Sequence, residues 1–305
     1  KFQNTLTEPF TADEIRSVMF TDGNSVKNFY NENSFSQINI DSQASGVFGW
    51  YTISQNVSGG SSCPFEDWSY YAAQQARNAG VDLNSYTHKI YVFPQVASCT
   101  WGGKAYVQGD EVWINGRKDP YVFAHELGHN FGAKHANSLS CGSNAISSYG
   151  NCQETEYGDP YDVMGIPVTS SNYTYHFNAP HKREATWIPQ AGIQSVTQAG
   201  SYTVASLEAS SSGIQALRIP KTDTNESYYV SYRRPVGFDS SIQEIGTRGV
   251  SIHIWKEAPL IKTKIIDVTP GSSDGFRDAT LSDGSYFYDS SNNIRVTQTS
   301  HTDSS

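Results

Sequence analysis

The chain has no long apolar run and no cluster of basic residues. No segment of its 305 residues approaches the roughly 18 consecutive apolar residues that a membrane-spanning helix needs. Its 30 Asp and Glu outnumber its 21 Lys and Arg, which gives a formal net charge of -9. Because nucleic acids bind concentrated positive charge, we expect neither a membrane span nor a nucleic-acid partner.

The amino-terminal stretch KFQNTLTEPF lacks the basic and apolar regions of a signal peptide. We therefore expect a mature form, which a signal and an inhibitory propeptide precede in the precursor if the protein is secreted. No internal repeat or low-complexity tract occurs either. A length of 305 residues, 37% of them hydrophobic, allows one sizeable core plus a second domain, and we expect a monomer.

Calcium motifs of the form D-x-[DN]-x-[DN]-G are also absent. Two acidic loops, TDTNES and TPGSSDGFRD, offer carboxylates that suit Ca²⁺. Surface carboxylates are more often merely solvated, so both interpretations of these loops stay open.

The segment AHELGHNFGAKH, which begins at position 124, concentrates three histidines and one glutamate. A helix turns about 100° per residue, so His125 and His129 project from nearly the same face and can bind one ion. Glu126 is rotated off that face, where it is placed to act on a water molecule as a general base. Gly132 can adopt the positive φ that ends a helix, which would bring His135 back as a third ligand.

The alternative is that these are ordinary histidines, since single helical histidines are usually solvated or hydrogen-bonded and a bare H-E-x-x-H occurs by chance. Here the full pattern H-E-x-x-H-x-x-G-x-x-H is met. Three neutral nitrogens plus one open position are typical of a catalytic site, so the pattern predicts one Zn²⁺ ion.

This motif resembles the signature of the metzincin metallopeptidases, which also carry a methionine-containing turn beneath the metal. The stretch YGDPYDVMG, with Met164, supplies such a turn. That stretch and the downstream HFNAPHK are most similar to gametolysin-type secreted peptidases and their bacterial relatives. The resemblance extends from about Thr11 to Trp187. Some metzincins place a tyrosine two residues after the methionine, and because Ile166 stands there, that role is not carried over.

The resemblance implies a secreted, extracellular zinc endopeptidase that hydrolyses peptide bonds in proteins, with Glu126 as the general base. It also implies that substrate pairs with an edge strand, for which AYVQGDEVWING is the best candidate, and that residues 165–178 form pocket walls. His176 falls in that range and His181 lies just after it. Structural or surface roles suit them better than a fourth ligand, because three protein ligands complete a catalytic site.

A secreted adhesin or carbohydrate-binding protein on a zinc-peptidase scaffold is the alternative function. The intact Glu126 favours the enzyme, because a binding module has no use for a general base beside an open metal position.

Four cysteines occur, and none stands in a C-x-x-C pair. Two disulfides in an oxidising compartment are one interpretation, and free buried thiols are the other. Of the three possible pairings we favour Cys63 with Cys99 and Cys141 with Cys152. The second bridge would clip the loop that leads from His135 toward the methionine turn.

Alternating helices and strands are predicted ahead of the motif. Thr11 and Glu14 form a capping box before one helix, and Gly80 ends a second, EDWSYYAAQQARNAG. The runs GVFGWYTIS, KIYVFPQ and EVWING read as strands, and the residues from about Asp119 to Phe131 form the predicted zinc helix.

After Trp187 the chain changes to short β-rich runs that turn residues separate, with no helical period between them. This pattern predicts an antiparallel β-sandwich. The predicted fold class is therefore α+β: a metzincin-like catalytic domain over residues 1–189, with a twisted mixed sheet and the zinc helix in its middle, and a sandwich over residues 190–305.

Overall fold

The computed structural model describes residues 1–57, 62–148, 150–166, 174–257, 262–302 and 305. The chain forms two compact units, one of Lys1–Tyr30 with Asn39–Gly132 and one of Asn31–Ile38 with Ala133–Ser305. The boundaries of these units differ from those of the two predicted domains. The predicted domain boundary near residue 190 stays a prediction. Mixed sheets with few helices confirm the α+β class.

The α-helices of the described ranges are short, and the longest has 14 residues. They are α1 (Ala12–Arg16), α2 (Val26–Asn33), α3 (Phe65–Asn78), α4 (Pro120–Asn130) and α5 (Ala179–Glu184). Within these ranges, no helix combines the length and apolar character needed to cross a membrane. The capping box of Thr11 and Glu14 is present at the start of α1, and Gly80, with a φ of 87°, follows α3 as the sequence predicts.

The first unit contains a three-stranded sheet of β1 (Lys89–Phe93), β2 (Gly103–Ala105) and β3 (Glu111–Asn115). The strand order is β1-β3-β2, with β1 parallel and β2 antiparallel to β3. The stretch AYVQGDEVWING therefore contains the central strand, and the prediction that it supplies the edge is wrong. The edge beside β3 is β2, which enters that stretch only at Ala105.

A second prediction for this unit is also wrong, because GVFGWYTIS forms no strand. Its only ladder contact among the described residues is an isolated bridge between Ile53 and Phe2. Gly49 has a φ of 108°, outside the β region, so the backbone leaves extended geometry in the middle of the run. Aromatic and β-branched composition favours a strand only where a neighbouring strand is available to pair.

The second unit is built on an eight-stranded mixed sheet. Its main path is β5-β4-β10-β9-β8-β7-β6, and β11 also pairs with β9. The strands are β4 (Ala136–Ser140), β5 (Gln153–Thr155), β6 (Ile193–Ser195), β7 (Ala216–Pro220), β8 (Ser227–Tyr232), β9 (Gly249–Trp255), β10 (Thr263–Ile266) and β11 (Thr280–Ser282). A separate hairpin joins β12 (Tyr286–Asp289) to β13 (Ile294–Thr297). Strand β4 follows the histidine motif directly, so the sheet fixes the chain that carries the third histidine.

Both disulfides lie within a unit. Cys63 is bonded to Cys99 in the first, Cys141 to Cys152 in the second, and no cysteine is free. These are the two pairs that the sequence analysis favours.

We expect a chain in which Ser replaces both Cys141 and Cys152 to lose about 2 to 3 kcal/mol of unfolding free energy, because the bridge closes a loop with a sequence separation of 11. Denaturant unfolding of this variant and of the wild type measures the difference. Equal unfolding free energies would show that this bridge does not restrict the unfolded chain.

Candidate metal centre

Helix α4 carries two of the predicted ligands and the predicted base. Asp119 caps its start, since the Asp119 side chain accepts the Val122 N–H at 3.3 Å and Pro120 occupies the first turn. The helix ends at Asn130, and Gly132, with a φ of 104°, redirects the chain. Every residue from Val122 to Asn130 is buried, so packing holds this segment from all sides.

Three histidines, His125, His129 and His135, form a group that could hold a metal ion. One ring nitrogen of each lies within 4.8 Å of the others, and the described ranges contain no other such group of three. The rings of His125 and His129 have centroids 5.0 Å apart, as their spacing on α4 predicts. Burial lowers the pKa of His135, which favours the neutral imidazole that a metal needs. Three imidazole nitrogens are the donor set of many catalytic zinc sites, so these residues fit the ion.

Glu126 is next to the first histidine in sequence and does not belong to this group. Its side chain is buried, and this burial raises the pKa of Glu126 to about 8, against the opposing charge of Lys104. Strand β2 passes beside it, because a Cβ built on Gly103 would lie 2.5 Å from Glu126 Oε1. Only glycine allows the strand to approach the carboxyl group this closely.

The methionine turn is tied to the strand that follows His135. Met164 is fully buried, and its carbonyl accepts the Ala136 N–H at 2.9 Å. The Ala136 carbonyl in turn accepts the Asp159 N–H at 3.2 Å. These two bonds hold the backbone of the residue next to His135 on both sides, so the turn restrains the position of the third histidine.

Asp162 fastens this turn to the start of α5. Its Oδ1 accepts the Met164 N–H at 2.7 Å, while its Oδ2 accepts the Asn178 N–H at 2.6 Å and lies 3.0 Å from His181 Nδ1. All four residues are buried, so these bonds are shielded from water. His181 is therefore part of the support of the turn.

His176 is also buried, and it contacts Glu32 and Lys182. Its Nε2 lies 2.8 Å from Glu32 Oε1 and its Nδ1 lies 2.9 Å from Lys182 Nζ. Neither His176 nor His181 belongs to the group of three histidines. Ile166 is 60% exposed, and of the predicted pocket walls at 165–178, residues 167–173 lie outside the described residues.

Sequence reasoning missed the partners of the site. The sequence patterns indicate no role for Gly103, Asp162 or Glu156, although Glu156 Oε1 lies 2.7 Å from His135 Nδ1. The only local signals were the glycine pair before Lys104 and the acidic residues around the methionine turn. Neither signal identifies a contact, because the partners come from other segments of the chain.

Replacing Met164 with leucine should leave metal content and most activity unchanged. The two side chains have nearly the same volume, and such a swap usually costs less than about 1.5 kcal/mol. The backbone bonds of Met164 to Ala136 and Asp162 do not depend on its side chain. Zinc content and peptide-cleavage rate of the variant test this. A variant that loses its metal would show that the thioether does more than pack.

Comparison with known proteins identifies the family. A family model described as gametolysin peptidase M11 matches residues 3–256, a span that includes the histidine motif and the methionine turn. No curated relative matches the chain. The matched span covers most of the 305 residues. It extends beyond Trp187, where the resemblance noted in the sequence ends. The chain thus belongs to the gametolysin peptidase M11 family of metzincin-type zinc metallopeptidases, and it is a metalloendopeptidase.

Proposed function

We propose that this chain is a secreted endopeptidase in which His125, His129 and His135 bind one zinc ion and Glu126 is the general base. The observation that carries the proposal is the convergence of the three ring nitrogens within 4.8 Å in a chain of this family. The buried Glu126, one residue from the first ligand, supports the assignment of the base.

Zinc on three imidazoles supplies a Lewis acid that polarises the scissile carbonyl and makes a water molecule more acidic. Glu126 takes a proton from the attacking water and returns it to the leaving amine. The carboxyl group is shielded from bulk water by its burial, so it holds that proton between the two transfers. The lowered pKa of His135 supports a neutral imidazole at this ligand.

Strand β2 is the proposed place of substrate binding. It pairs with β3 on one side and has no strand partner on the other among the described residues. An extended peptide that adds to this edge would form main-chain hydrogen bonds, which give affinity with little sequence preference. Because Gly103 of β2 lies against Glu126, a peptide on this edge would pass close to the base.

The two disulfides support an extracellular location, since such bonds persist in oxidising compartments. A Ca²⁺ site in the acidic loops stays a prediction. In one of these loops Asp278 already accepts a hydrogen bond from Ser272 at 3.0 Å and lies 3.7 Å from Arg248, so that carboxylate has partners within the protein.

Digestion of casein or gelatin by the zinc-loaded protein tests the proposed function. We expect cleavage that a zinc chelator stops and that added zinc restores. Glu126→Gln provides the control, since its side chain has nearly the same shape but cannot accept the proton. Zinc-loaded protein that cleaves neither substrate, but binds glycans, would favour the adhesin or carbohydrate-binding alternative.

A further inference from the structure

His135 is held differently from the other two histidines. His125 and His129 are buried on α4, whereas His135 lies just before β4 and its side chain is 19% exposed. A helix packed on all sides fixes its side chains, but a partly exposed ring at the start of a strand can rotate. The third histidine therefore needs a partner of its own.

The sheet brings two charged residues to that position. In the parallel pairing of β10 with β4, Thr263 is level with Ala136, so the preceding residue, Lys262, is level with His135. In the antiparallel pairing of β4 with β5, Thr155 is opposite Ser138, and Glu156 follows as β5 ends. The acidic Glu156, after β5, and the basic Lys262, before β10, therefore both lie beside His135.

The contacts are direct. His135 Nδ1 lies 2.7 Å from Glu156 Oε1, and Lys262 Nζ forms an ion pair with the same oxygen. The ring of Tyr157 lies against the imidazole, with centroids 3.9 Å apart and planes inclined by 35°. The carboxylate fixes one edge of the ring, and the tyrosine restricts its tilt.

A carboxylate can only accept a hydrogen bond here, so His135 must carry its proton on Nδ1. The lone pair is then on Nε2, and the negative charge makes that nitrogen a stronger donor to a metal. We infer that Glu156, held in place by Lys262, is a positioning residue that fixes the tautomer and orientation in which His135 Nε2 binds the metal. This inference rests on the proposed role of His135 as a ligand.

The first test is zinc affinity in the full chain, measured by competition with a chelator. Glu156→Ala should raise the zinc dissociation constant about 10- to 100-fold, the usual effect of losing such a partner. Glu156→Gln should have a smaller effect, because its amide oxygen can still accept the Nδ1 proton. Asp283→Asn is a matched control, since Asp283 Oδ1 contacts His301 Nδ1 at 3.0 Å in a similarly exposed pair outside the triad. Its zinc affinity should equal that of the wild type.

The second test needs no metal. Nitrogen-15 NMR of the histidine rings at about pH 8, where an ordinary histidine is neutral, reports which ring nitrogen carries the proton. We expect the Nδ1–H form of His135 in the wild type and a shift toward Nε2–H in Glu156→Ala. An unchanged zinc affinity in Glu156→Ala, or an Nε2–H wild type, would overturn the inference. If Glu156→Ala weakens zinc binding and shifts the tautomer as expected, but the zinc-loaded wild type cleaves no peptide, only the proposed function is contradicted.

Discussion

His129→Ala is expected to lose its metal and its peptidase activity together. In the proposed site His125 and His129 are ligands from adjacent turns of α4, and with one of them removed only two ring nitrogens of the triad remain. Two ligands hold zinc poorly, so the loss of affinity should exceed the roughly 10- to 100-fold expected for an outer partner such as Glu156. Zinc per chain after dialysis, measured by atomic spectroscopy, and the peptide-cleavage rate give the two results.

His301→Ala is the control for this variant. His301 is a surface histidine that pairs with Asp283 and lies outside the triad, so its removal should change neither zinc content nor rate. A His129→Ala protein that retains one zinc per chain would show that the ion is bound elsewhere.

The effect of Glu126→Ala should differ from that of His129→Ala, because this change keeps the three ring nitrogens and removes only the proposed base. Loss of general-base catalysis usually lowers the rate about 10²- to 10⁴-fold, and the same carboxyl group also returns the proton to the leaving amine. We therefore expect a decrease near the upper end of that range in kcat. Steady-state kinetics on a peptide substrate, with zinc content determined on the same sample, measure it.

Glu126→Gln distinguishes the proton-transfer role of Glu126 from its role in packing, because glutamine keeps the shape of the side chain. The carboxyl group lies against Gly103 of β2, so truncation to alanine also opens space beside the proposed substrate strand. Glutamine fills that space, and its rate should be as low as that of the alanine variant. A glutamine variant much faster than the alanine variant would mean that Glu126 acts through packing.

The grouping of the three histidines could be predicted because they lie close together in the sequence. Eleven residues contain the two helical histidines, the glycine that redirects the chain and the third histidine, and the observed Gly132 φ of 104° is the conformation this pattern requires. Local geometry alone brings these ring nitrogens together. The capping box at Thr11 and Glu14 was predictable for the same reason.

The supports of the site could not be predicted, because they depend on strand order and register. Glu156 is 21 residues from His135, and Lys262 is a further 106 residues away. They meet only because β5 and β10 flank β4, and nothing in the local sequence specifies that order. The same is true of β2, whose position at the sheet edge follows from its pairing and not from its composition.

The placement of the segment Asn31–Ile38 could not be predicted from the sequence either. It belongs to the second compact unit, although the residues around it in sequence belong to the first. Glu32 contacts His176, and the carbonyl of Asn33 accepts a hydrogen bond from the buried Lys182 at 3.0 Å. Buried polar side chains such as those of His176 and Lys182 are stable only with hydrogen-bond partners, and here these partners are 144 and 149 residues away.

Zinc content and peptide-cleavage rate of Glu126→Gln, measured on one sample beside the wild type, test the central claim most directly. If the three histidines hold zinc and Glu126 moves the proton, both proteins will contain one zinc per chain, and the variant will be at least about 10²-fold slower. A zinc-loaded Glu126→Gln protein that cleaves peptides at more than about a tenth of the wild-type rate would contradict the claim, because loss of a general base should slow the reaction more than this.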